Sequence, residues 1–233
     1  MPDDILINRL THDELDLGLY NLVSDVRGRY RSSGGQINGT IYVSIEESEP
    51  HICGMRGAVI KKGVSSEVII QRCLFGNIDY RQSPSEFEFL IAHEFSHIYN
   101  DDYFYMKISW ILGFISPLIV YGILINTLKD YVVSYFLTFL FIIFELRVYT
   151  HWRRKMETRC DKEAFTIMDN AIAAINAFKK RDEFIKEVRT RIKGVNKLKL
   201  CLLLGFYFIS GNSHPDYPKR IENIEKWARE LPK

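Results

Sequence analysis

Residues 83–102 read SPSEFEFLIAHEFSHIYNDD, and the fold turns on how this stretch is read. Ser83 and Pro84 mark a helix start, a capping residue followed by a proline that has no first-turn N–H to waste. Phe87, Leu90, Ile91, Phe95 and Ile98 then recur at helical spacing, so the helix enters a core. His93 and His97 stand four positions apart and project from one face of it. Two imidazoles so placed can reach one Zn²⁺, with Glu94 beside the ion to take up a proton. The pattern H-E-x-x-H fixes only three letters and occurs in helices that hold no metal. Here its apolar surround matters, because two buried histidines and a glutamate without an ion carry a heavy desolvation cost.

A second stretch, METRCD at residues 156–161, supplies a third ligand. Catalytic zinc commonly takes three protein ligands and one water, and two histidines with one glutamate is a known set. Glu157 and Asp161 lie four apart on a helix expected over residues 152–168. Glu157 would ligate the metal. Asp161, one turn on, would accept the remaining N–H of a ligand histidine and fix its tautomer. The plain alternative is a solvated acidic face among Arg153, Arg154, Lys155, Arg159 and Lys162; His93 and His97 decide against it.

Two apolar runs separate these motifs. Residues 108–125 read ISWILGFISPLIVYGILI and residues 131–144 read YVVSYFLTFLFIIF, the second continuing to Tyr149 past Glu145 and Arg147. Each is close to the ~20 residues that cross a bilayer core. The five residues Asn126–Asp130 between them suit an antiparallel hairpin. Two fully apolar helices buried in a soluble protein would need far more protein around them than 233 residues provide. Lys107 on one flank and His151, Arg153, Arg154 and Lys155 on the other outweigh Lys129 in the loop. The positive-inside rule therefore places both termini and the site in the cytoplasm, with the inner membrane as the expected location. The opening residues show no signal-peptide core. Four cysteines without C-x-x-C spacing suit a reducing compartment. A net charge of +2 gives no case for a nucleic-acid partner.

HEFSH, two apolar spans, METRCD and then SHPDYPKRI at residues 213–221 together resemble the HtpX-like and CAAX-prenyl-protease family of membrane zinc metallopeptidases, which are gluzincins. The resemblance covers roughly residues 50–227. It implies zinc bound by His93, His97 and Glu157, with Glu94 as general base and Asp161 orienting a ligand. It also implies that His214 and Arg220 lie near the substrate, where either could donate to the oxyanion. The fold expected is α+β, mainly α. A single metallopeptidase domain over residues 1–233 would hold a small sheet and an inserted transmembrane hairpin at residues 108–149. The function expected is a membrane-anchored zinc endopeptidase acting on proteins or peptides, in quality control or regulated proteolysis of membrane proteins. The alternatives are a zinc-binding scaffold with little cleavage and a protease that trims prenylated C-termini.

Elsewhere the pattern predicts a helix over residues 11–25 opened by Thr11 and Glu14, and a turn at residues 31–35. Strands are expected near residues 36–45, 57–60 and 67–71. Further helices are expected over residues 171–193, 198–209 and 217–230. Gluzincins take substrate as an added strand, and Val68–Ile70 or Gly57–Ile60 is the expected edge.

Overall fold

A computed structural model describes residues 5–9, 17–34, 41–46, 58–62, 65–71, 81–192 and 215–230. In chain order the elements are β1 (Ile5–Arg9), α1 (Leu17–Ser32), β2 (Ile41–Glu46), β3 (Ala58–Lys62) and β4 (Ser65–Gln71). There follow α2 (Pro84–Tyr99), α3 (Asp102–Leu128), α4 (Tyr131–Met168), α5 (Ala171–Ile192) and α6 (Tyr217–Glu230). The chain divides into two compact units: Met1–Tyr103 with Thr158–Gly194 and Asp216–Lys233, and Phe104–Glu157 with Val195–Pro215.

In the first unit the strands pair in the order β1-β2-β4-β3, parallel except for the β3–β4 pair. Strand β4 is therefore interior, which removes Val68–Ile70 as the expected edge and leaves β3 and β1 on the outside. Strand β3 lies against α2. The strand β1 falls where the sequence reading placed no element.

Helix α1 runs to Ser32, seven residues beyond the expected end. Leu19, Leu22, Val23, Val26 and Tyr30 are all buried and form one continuous stripe, so nothing apolar stops the helix at Asp25. The expected Thr11 cap lies outside the described residues. The stripe packs against Phe89, Ile91 and Phe95 of α2, and the core extends to Phe165 of α4, Phe178 of α5 and Ile224 of α6. Phe89 and Phe178 meet edge to face at 5.3 Å, a geometry worth about 0.5–1.5 kcal/mol beyond the area it buries.

Pro84 opens α2 as expected, but Ser83 makes no side-chain cap bond. Its hydroxyl instead accepts from Lys180 Nζ at 2.9 Å, and the same ammonium bonds Glu86 at 2.6 Å. Tyr30 holds the middle of α2. Its hydroxyl donates to the Ala92 carbonyl at 2.6 Å and touches the Ser96 hydroxyl. Burial pushes this phenol well above its usual range, so it remains a donor.

Each of the next three junctions is tight and passes through a residue with positive φ: Asp101 at 56°, Lys129 at 56° and Asp169 at 48°. Aspartate enters that region more readily than most residues. Asp130 then caps α4 by accepting from Val132 N at 2.9 Å and Val133 N at 3.1 Å, and Asn170 caps α5 through Ala173 N at 3.0 Å.

In the second unit the expected hairpin loop of five residues is only Lys129 and Asp130. The second apolar run and the expected helix 152–168 are one unbroken 38-residue helix, α4. No proline or glycine interrupts residues 131–168, so the backbone has no reason to break at Thr150 or His151. Both α3 and α4 are long and apolar enough to cross a membrane, and only 6% and 11% of their most apolar windows are buried. A core helix of a soluble protein would be mostly buried. The exposed apolar side chains include Leu118, Val132 and Tyr135. The expected helix 198–209 lies outside the described residues.

Candidate metal centre

Helix α2 carries the first half of the site. Its turn from His93 to His97 stacks the two rings edge to face, with centroids 4.9 Å apart. His93 is buried and His97 half-buried, while Glu94 is half-buried on the same turn. Ser96, three residues after His93, lies on the adjoining packed side, where its hydroxyl bonds the Cys160 carbonyl of α4 at 3.3 Å. That contact and the bond from Asn100 Nδ2 to Glu163 at 2.6 Å hold α2 against α4 along the motif.

Helix α4 brings the second half. Glu157 is buried, and donor atoms of His93, His97 and Glu157 all lie within 4.8 Å of one another. Two donors on one tetrahedral ion are separated by about 3.4 Å, and this set is close enough together to hold a single ion. The donor types, two imidazole nitrogens and a carboxylate, also suit zinc. Arg153, one turn before Glu157, is 3.8 Å from its carboxylate.

Asp161 lies one turn beyond Glu157, and its Oδ1 is 2.9 Å from His93 Nδ1. A neutral imidazole has one N–H and one lone pair. A tautomer with its N–H at Nδ1 would leave the lone pair at Nε2. Asp161 is 1% exposed and would resist ionisation by burial alone. The charge of Arg220 and the contact with His93 outweigh that burial and hold the carboxyl below its usual range. Arg220 bonds both oxygens, with Nε at 2.7 Å from Oδ2. The guanidinium also sits over the Phe178 ring, 4.2 Å from its centroid.

Arg220 is a residue that the resemblance puts near the substrate. It is 3% exposed and bound to Asp161, a buried support behind His93. The resemblance could not show which element α6 would face. His214 lies outside the described residues.

Sequence reasoning missed Asp102 and Arg159. Asp102 Oδ2 is 2.8 Å from His97 Nδ1, and Arg159 bonds the other oxygen of the same carboxylate. Cys160 is fully buried and sits 3.3 Å from His97 Nδ1. The available signal was the acidic pair Asp101-Asp102 directly after Asn100, where a chain leaving a helix can fold back on its last turn.

No curated protein and no solved structure shows significant similarity to the chain. The model of one family does match, over residues 57–228, a range that contains α2, both apolar helices and α6 as far as Ala228. Its members are metallopeptidases, typically zinc-dependent, of the HtpX-like and CAAX-protease type. With about three quarters of the sequence matched, and the histidines and glutamate gathered as such an enzyme requires, the chain belongs to peptidase family M48.

Proposed function

We propose that the protein is a membrane-anchored zinc endopeptidase whose ion is held by His93, His97 and Glu157. The observation that carries this reading is the convergence of those three donors within 4.8 Å. Zinc, when bound, supplies a Lewis acid and makes a water easily deprotonated near neutral pH. Glu94, next to His93 on the same turn, takes up that proton and returns it to the leaving amine. A scaffold that only bound zinc would have no use for a carboxylate there.

Asp161 fixes the His93 ring, and Arg220 keeps Asp161 charged and in place. Donation to the oxyanion therefore falls to His214 rather than Arg220. Substrate enters extended and pairs with β3, the outer strand that lies against α2. Main-chain pairing of this kind places little demand on sequence and suits protein substrates in general.

The nearly unburied apolar surface of α3 and α4 supports their assignment as a membrane hairpin. The basic residues that flank it support a site on the cytoplasmic side of the inner membrane. Turnover or regulated cleavage of membrane proteins follows from a site tethered at that surface.

Elemental analysis of purified protein tests the metal assignment. About one zinc per chain is expected, with most of it lost in His93→Ala and in His97→Ala, since two remaining ligands leave an open site. Full zinc retention in both variants would overturn the assignment.

A further inference from the structure

The two histidines of the motif are backed alike. Behind His93 stand Asp161 and Arg220; behind His97 stand Asp102 and Arg159. The second arm also contains Cys160, whose Sγ is 3.3 Å from His97 Nδ1 and 3.5 Å from Asp102 Oδ2. His97, Asp102 and Cys160 have donor atoms mutually within 4.8 Å, so an additional metal there has to be considered. Arg159 argues against it. Its guanidinium already holds the second oxygen of Asp102 and brings the positive charge that an ion would supply.

Resting on the zinc-site reading above, we infer that Asp102 is the positioning residue of His97. It holds the ring with Nδ1–H toward its own carboxylate and the Nε2 lone pair toward the metal. Three features carry this. Asp102 is 1% exposed, so its charge is not spent on water. It is delivered by the tight turn through Asp101, where the Asp101 N–H donates to the Ile98 carbonyl at 3.1 Å and the chain doubles back on the last turn of α2. Its two oxygens are shared out, Oδ2 to His97 and Cys160 and Oδ1 to Arg159, so each oxygen faces a donor.

That full sharing makes Asp102→Asn informative. An asparagine has the same shape but one acceptor oxygen. If it accepts from His97, its NH₂ faces the donors of Arg159. If the NH₂ faces His97, Nδ1 must become the acceptor and Nε2 carries the proton, a tautomer that cannot bind metal. Either arrangement penalises the zinc-binding state.

The test is zinc affinity of the full-length protein in detergent, measured by competition with a chromophoric chelator, beside the thermal midpoint of the metal-free form. Asp102→Asn is expected to bind zinc about 10- to 100-fold more weakly. Arg159→Met breaks the ion pair but leaves the Asp102–His97 contact, and should lose distinctly less affinity even where its midpoint falls as far. If Asp102→Asn does not fold, Asp102→Ser, whose hydroxyl is too short to reach Nδ1, should show the same loss. Wild-type affinity in the Asp102 variants, with zinc lost from His97→Ala, would overturn this inference and leave the metal centre standing. So would equal losses in Asp102→Asn and Arg159→Met that track the fall in midpoint, because that pattern is structural only. Zinc retained by His97→Ala would overturn the metal centre, and this inference with it.

Discussion

Arg220 combines two interactions at one buried point, an ion pair with Asp161 and a stacked contact over Phe178. Removing one member of such a pair leaves the other charge buried and unanswered. Arg220→Met should therefore destabilise the fold by about 3–5 kcal/mol, and denaturant unfolding in detergent would measure it. A loss below about 1 kcal/mol, the range of exposed pairs, would mean that Asp161 finds water or another partner. Tyr30→Phe is a milder case. It removes one of the donors to the Ala92 carbonyl, which keeps the Ser96 hydroxyl, and about 0.5–1.5 kcal/mol is expected by the same measurement. At this scale the sequence was legible where a residue's role follows from helical spacing. His93 and His97 share a face because they are four apart, as do Glu157 and Asp161. Asp102, Arg159 and the partner of Arg220 were not legible. Their roles depend on a turn angle and on which distant helix packs alongside, and neither is set by local spacing.

Helix α4 carries apolar residues 131–149 and the acidic pair Glu157 and Asp161 on one continuous rod. The sequence divided that rod in two because its composition changes abruptly near residue 150, whereas the backbone responds only to breakers and finds none. The end of α1 shows the reverse error. The expected helix stopped at Asp25, while the apolar stripe that determines it runs on to Tyr30. The hairpin itself was plain, since runs this apolar have few other uses. Its topology is testable by labelling. A single cysteine at Thr127 should react with an impermeant reagent added outside intact cells, and one at Lys155 should not. Equal protection of both positions, with the protein extracted by alkaline carbonate, would contradict the membrane hairpin.

Over the whole molecule, α2 leads into α3 and α4 leads out of the hairpin, so the chain leaves the first unit and returns to it on helices that carry site residues. Glu157, 60 residues beyond His97, offers a donor atom within 4.8 Å of those of His93 and His97. The two carboxylates of α4 should then rank differently. Glu157→Gln is expected to weaken zinc binding severely and stop proteolysis, while Asp161→Asn should cost on the order of 10- to 100-fold. The opposite order would mean that their roles are exchanged. The central claim, that this centre hydrolyses peptide bonds with Glu94 as the proton carrier, is met most directly by one variant. Glu94→Gln, purified in detergent beside the wild type, should retain its zinc and its fold yet fail to cleave casein, because an amide cannot take up the proton. Cleavage at the wild-type rate by the zinc-loaded variant would contradict it.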